Sequence, residues 1–230
     1  MTHQYLLFDL DGTLTYPALG ITNSILYALR EMGVEPPERE SLYQFIGPPL
    51  AKTFLEFFPE EKVQEAIDTY RVYFRAKGMF ENTVYDGIPE LLRELKARKI
   101  PAAVATSKPE EFAVTILEHF GLAEYFTVIG GASMDGSRGE KQQVIEYVLN
   151  KLDNGTSEFD ISARKCQVSR SEYLMIGDRK YDMEGAKAFG MTALGVSWGY
   201  GTREELTEAG ADMIADTPAE LLDRITELTI

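Results

Sequence analysis

The sequence predicts an α/β fold in which a doubly wound parallel sheet carries a small all-helical domain inserted after the first strand. Three observations predict it. Short apolar runs, each ending at a polar or glycine turn, recur along the chain. Amphipathic helical spacings separate most of them, and strands alternating with helices imply parallel βα units. One long early stretch breaks the alternation and holds helical patterns only.

Tyr5-Leu6-Leu7-Phe8 is the first run, apolar and aromatic, stopping at Asp9-Leu10-Asp11-Gly12. It reads as a strand buried on both faces. From about residue 20 to about 83 the breaks fall at Gly33-Val34-Glu35-Pro36-Pro37, Gly47-Pro48-Pro49 and Phe58-Pro59. Between them Ile21, Ile25, Ala28 and Met32 share one helix face, and Val63, Ile67, Tyr70 and Phe74 another. The expected division is therefore a core of residues 1–16 and 84–230, with a helical insert over 17–83. The core resumes near Val84-Tyr85-Asp86-Gly87, followed by a helix with Ile88, Leu91, Leu92 and Leu95 on one face and Pro89 in its first turn.

Ala102–Ala105 is the next strand, and Phe112, Ile116 and Phe120 mark the helix after it. Ser107 suits its N-cap, Pro109 its first turn and Gly121 its C-terminal cap. Further strands are expected at Phe126–Ile129, Tyr173–Ile176 and Thr192–Val196, with a weaker sixth at Asp212–Ile214. The segment 152–171 is polar and irregular and reads as a surface excursion. The whole is Rossmann-like.

Composition narrows the function. With 23 Lys+Arg against 37 Asp+Glu the net charge is −14. Such a chain lacks the positive field that holds polyphosphate backbones, which argues against a nucleic-acid polymer as partner. Hydrophobic residues at 44% exclude a disordered acidic tail. The single Cys166 forms no internal disulfide, no apolar run is long enough to cross a membrane, and the first residues do not read as a signal peptide. A cytoplasmic protein, monomeric or a small homo-oligomer, is expected.

Chemistry concentrates at the strand ends. Asp9 and Asp11 follow the first strand, where open α/β sheets bind ligands. Alone, the pair fits an ordinary Asp-Gly turn equally well. But Gly177-Asp178-Arg179-Lys180-Tyr181-Asp182 follows the fourth core strand in the same way. Carboxylates converging at one edge form the hard-oxygen site that Mg²⁺ requires. Thr106-Ser107 brings hydroxyls and helix N-terminal amides to the same edge, a phosphate cradle. Lys141 opens a helix, where a cation opposes the helix dipole, so it has another task. Lys108 reads as a solvated helix-start charge beside the cradle, Arg179 and Lys180 as charges that soften the acidic cluster, and Trp198 as packing.

In sum, Phe8-Asp9-Leu10-Asp11-Gly12-Thr13-Leu14 resembles the first motif of the haloacid-dehalogenase-like superfamily. Thr106, Lys141 and the 177–182 segment stand where its second, third and fourth motifs belong. The helical insert resembles its C1-type cap. The segments 195–201 and 135–139 are similar to the phosphoglycolate phosphatase and 5′-nucleotidase branch.

The resemblance implies a phosphatase acting on a small phosphorylated metabolite. Asp9 is the implied nucleophile, Asp11 the acid and base, and Thr106 with Lys141 the phosphoryl-binding pair. Asp9, the Asp11 main-chain carbonyl and Asp178 are the implied Mg²⁺ ligands, and Asp182 supports Lys141 or the metal. An acid at Asp11 points to phosphate rather than halide chemistry. Gly47 marks a possible specificity loop on the cap. Phosphoglycolate and nucleoside 5′-monophosphates both fit. So do a pyrophosphatase, a β-phosphoglucomutase-like phosphotransferase and, as a non-enzyme, a phospho-acceptor signalling domain.

Overall fold

A computed structural model describes residues 5–153 and 169–229. Its strands are β1 (Tyr5–Phe8), β2 (Thr15–Tyr16), β3 (Thr83–Val84), β4 (Ala102–Pro109), β5 (Val128–Ala132), β6 (Tyr173–Gly177), β7 (Thr192–Val196) and β8 (Met213–Ala215). Six of them form a parallel sheet in the order β5-β4-β1-β6-β7-β8. β1 is therefore central, with the next core strand on one side and β6 on the other. Where strand order reverses like this, a crevice opens beyond the carboxyl ends.

Alternation along β1 explains why both faces are covered. Leu6 and Phe8 enter one apolar cluster with Val104, Leu174 and Ile176, and Leu7 enters another with Ala103, Ala105 and Met175. The first cluster is closed by α4 (Ile88–Ala97) and α9 (Pro218–Thr229), the second by α6 (Lys141–Asp153) and α7 (Lys180–Ala188).

Several expected strand boundaries move, those of β4 and β5 furthest. β4 runs on to Pro109, because its pairing with β5 continues through Thr106 and resumes after a register shift at Pro109. Ser107 thus lies within the strand and is not an N-cap. Pro109 precedes α5 (Glu110–His119) as its cap residue, and Glu110 and Glu111 supply the acidic first turn. β5 begins at Val128 rather than Phe126, since the Phe126 amide closes a 3₁₀ turn onto Ala123. Gly121 ends α5 with a φ of +67°, as a C-cap glycine does.

The helical stretch contains α1 (Ala18–Glu31), a 3₁₀ turn over Arg39–Phe45, α2 (Leu50–Leu55), α3 (Glu60–Tyr73) and a π-turn over Phe74–Gly78. Ile21, Ile25, Ala28, Val63, Ile67, Tyr70 and Phe74 share its buried cluster, as their spacing predicts. Phe112 and Ile116 of α5 join that cluster, so the stretch rests on the core through one apolar seam. Both crossings between core and helices pass through the antiparallel ribbon β2–β3. Most of the irregular segment at 152–171, and Cys166 with it, lies outside the described residues.

Candidate active site

The carboxyl ends of β1, β4 and β6 bring the predicted site residues together. Asp9 leaves β1 with its amide still bonded to Ile176, so its carboxylate is fixed at the crevice. Lys141, the first residue of α6, is buried and donates to Asp9 Oδ1 at 2.9 Å and to the Ala105 carbonyl at 2.9 Å. Its ammonium also lies 2.7 Å from Asp182 Oδ1. Burial alone would lower this lysine, but Asp182 and Asp9 hold its pKa above the usual range. The helix-start cation thus sits between two carboxylates, Asp9 and Asp182.

Asp178 is completely buried. Its Oδ1 accepts from Thr13 Oγ1 at 3.2 Å and its Oδ2 from the Tyr200 amide at 2.8 Å. Glycines make room for it: a Cβ on Gly12 would fall 2.2 Å from Asp178 Oδ2, and one on Gly199 2.3 Å from the same atom. Burial, with Asp182 and Asp9 adding like charge, raises the Asp178 carboxyl well above the ordinary range. Asp182, the N3 residue of α7, accepts from the Arg179 amide, and burial pushes it up to about 6 against the pull of Lys141. One ligand oxygen from each of Asp9, Asp178 and Asp182 lies within 4.8 Å of the others.

Asp11 faces a different way. Its Oδ2 accepts from Lys108 Nζ at 2.5 Å while its Oδ1 is buried without a partner. Burial raises its pKa, and Lys108 opposes the rise. Lys108 is therefore no solvated helix-start charge: it is 8% exposed, lies within β4 and sits 5.0 Å from the Phe74 ring centroid. Sequence reasoning missed it because its partner is 97 residues away. The clue available was its place two residues after Thr106.

Thr106 is buried in the same crevice, its Oγ1 accepting from the Lys108 amide at 3.2 Å. Thr106, Ser107 and Gly47 line a cavity of about 450 Å³ with Asp9 and Asp11 at its floor. Ile21, Phe45, Ile67, Tyr70, Phe74 and Phe112 form its apolar wall. Arg179 does soften the cluster, since its charge opposes the rise of the Asp178 carboxyl, but its guanidinium bonds directly to Glu205 and the Ile46 carbonyl. Trp198 packs against the main core cluster and donates from Nε1 to the Thr13 carbonyl.

Two carboxylates two residues apart, a buried lysine and a further acidic pair thus meet at one sheet edge. The family model described as "Haloacid dehalogenase-like hydrolase" matches residues 6–196. The chain belongs to the haloacid dehalogenase-like hydrolases. Over 203 residues, 87% of the chain and 86% of the relative, this hydrolase is 43% identical to a 5′-nucleotidase of Pseudomonas aeruginosa. It is 37% identical over 224 residues to a tyrosine-protein kinase, PtkA, of Mycobacterium tuberculosis, covering 97% of the chain and 72% of that protein. A predicted phosphatase from Clostridium acetobutylicum superposes with a TM-score of 0.90 at 45% identity, covering 99% of this chain and 100% of the other. Family and relatives make this haloacid dehalogenase-like hydrolase an enzyme of the phosphatase kind. Among the described residues no helix is long and apolar enough to cross a membrane.

Proposed function

We propose that the protein is a Mg²⁺-dependent phosphatase that hydrolyses a small phosphomonoester through an aspartyl-phosphate, with the helical stretch over 17–83 acting as its cap. The observation that carries the reading is the meeting of Asp9, Asp178, Asp182, Lys141 and Thr106, from three strand ends and two helix starts, at one crevice.

In the first step Asp9 attacks phosphorus as the bond to the leaving oxygen breaks, and Asp11 gives that oxygen its proton. In the second, Asp11 takes a proton from water as its oxygen attacks phosphorus. The bond to Asp9 then breaks and inorganic phosphate leaves. Lys141 and Thr106 hold the phosphoryl oxygens, and Asp182 keeps Lys141 in place.

The donor set fits a divalent cation. Among the described residues, the four carboxylates Asp9, Asp11, Asp178 and Asp182 form ion pairs with two lysines, Lys108 and Lys141, which leaves negative charge in a buried space. Asp9, Asp178 and the Asp11 carbonyl would hold Mg²⁺, with Asp182 beside them. The ion would neutralise charge between an anionic nucleophile and an anionic substrate.

Between the two substrates expected from sequence, the cavity favours a nucleoside 5′-monophosphate over phosphoglycolate. Its wall is aromatic and aliphatic, and the buried cation among its lining residues, Lys108, is already paired with Asp11. A two-carbon acid needs a free cation, whereas a flat base gains from apolar contact. The name of the Pseudomonas relative agrees.

Asp9→Asn tests the chemistry: phosphate release with Mg²⁺ should fall by about a thousandfold or more with the fold unchanged. Retention of a tenth of the wild-type rate removes Asp9 as nucleophile. Comparing kcat/KM for nucleoside monophosphates and phosphoglycolate tests the substrate.

A further inference from the structure

Two neighbours on the loop after β6 face opposite partners. Asp178 points into the carboxylate cluster, whereas the Arg179 side chain crosses to the helical stretch. There its Nη1 donates to the Ile46 carbonyl at 2.6 Å, over a separation of 133 residues. Its Nε donates to Glu205 Oε1 at 2.9 Å, and the same oxygen accepts from the Lys180 amide at 2.9 Å. The guanidinium is thus held at both ends, and its side chain is only 12% exposed.

Ile46 opens the segment that covers the reacting groups. Gly47, Pro48 and Pro49 line the cavity above Asp9 and Asp11. Gly47 has a φ of +105°, a turn that favours glycine, and it lies in van der Waals reach of the Arg179 side chain. Asp9 is 5% and Asp11 8% exposed, and the cavity that reaches them is bordered by this segment, so its position sets the width of the entrance.

The two sides of the cleft are tied differently. On the α3–α5 side Phe74 packs on Phe112 at 5.2 Å between ring centroids, within the continuous apolar seam. On the side of residues 46–52, the Lys52–Glu140 ion pair has both side chains more than half exposed, and such pairs hold little. The arginine bond there is largely withdrawn from water and charge-assisted. Arg179 is not among the residues lining the cavity, and it acts on the cover rather than on the reacting atoms.

We infer that Arg179, oriented by Glu205, is a positioning residue that latches the 46–49 segment shut over the catalytic carboxylates. Its main-chain amide is bonded to Asp182, itself paired with Lys141, so the latch springs from the site it closes. The effect on turnover rests on the phosphatase reading, while the effect on the segment does not.

The test uses the full chain with Arg179→Met, Arg179→Lys and Glu205→Ala. Amide hydrogen exchange of the peptide 44–53 is read beside thermal stability, and kcat and KM are measured with 4-nitrophenyl phosphate and Mg²⁺. In Arg179→Met, exchange in this peptide should rise about tenfold with core helices unchanged. KM should rise about threefold or more with kcat held within about twofold, because a smaller fraction of the protein is closed. Arg179→Lys should restore only part, since one ammonium cannot span both the carbonyl and the carboxylate. Glu205→Ala should reproduce the change more weakly. Unchanged exchange in Arg179→Met overturns the latch, as does a rise spread evenly over the core. A fall in kcat at constant KM would place Arg179 on the reacting atoms instead. If the wild type releases no phosphate, the phosphatase reading fails, and the exchange arm still decides the latch.

Discussion

The unlike surroundings of Asp9 and Asp11 separate the roles proposed for two carboxylates two residues apart. Asp9 shares Lys141 with Asp182, whereas Asp11 has Lys108 on one oxygen and nothing on the other. Burial favours the protonated Asp11, and Lys108 opposes it. Lys108→Met removes the opposing cation, so Asp11 should keep its proton to higher pH. A base is needed for the second step, and the acidic limb of the kcat–pH profile should therefore move upward. An unmoved limb would assign Lys108 to cavity shape alone. Asp9, Asp11, Thr106, Lys141 and Asp178 were legible in sequence because each follows a recognisable strand or opens a helix. Lys108 and Arg179 were not, because their meaning lies in Asp11 and Ile46, far away in the chain.

At the level of elements, strand position was the legible part and strand ends the illegible part. β1 and β7 fall where the apolar runs predict, since burial on both faces leaves an unbroken hydrophobic signature. β4 overran its apolar run because Thr106, Lys108 and Pro109 stay in extended backbone through pairing with β5, which no local pattern announces. The same context explains the two loops around Asp178. Gly12, at a φ of +88°, and Gly199 close on its carboxylate from two sides, so a methyl at either would displace it. Gly199→Ala should therefore destabilise the protein by about 1–3 kcal/mol, as overpacking does. It should also weaken Mg²⁺ binding, followed by calorimetry, while the far-ultraviolet circular dichroism keeps its α/β shape. Unaltered Mg²⁺ affinity would remove Asp178 from the metal site.

Across the whole molecule, a net charge of −14 and an anionic substrate are reconciled by local sign, because the field that governs binding is the one in the cleft. The buried carboxylates make this testable as a linkage between protons, metal and stability. Burial raises Asp178 well above its unfolded value, and Asp182 to about 6. Without metal the folded state therefore binds more protons than the unfolded chain. The stability contributed by these protonated groups is complete below the unfolded value of 3.8 and is lost as pH rises through the folded values. Mg²⁺ must displace those protons, so it binds weakly in acid and offsets the loss once they have left. The rise in Tm on adding Mg²⁺ should be small near pH 5 and grow as pH passes about 6. At a hundredfold excess over Kd it should correspond to about 2.7 kcal/mol. Asp178→Asn should abolish most of the increment at every pH. A Tm increment of the same size at pH 5 and pH 8 would show that the cation binds elsewhere, on carboxylates already ionised in acid.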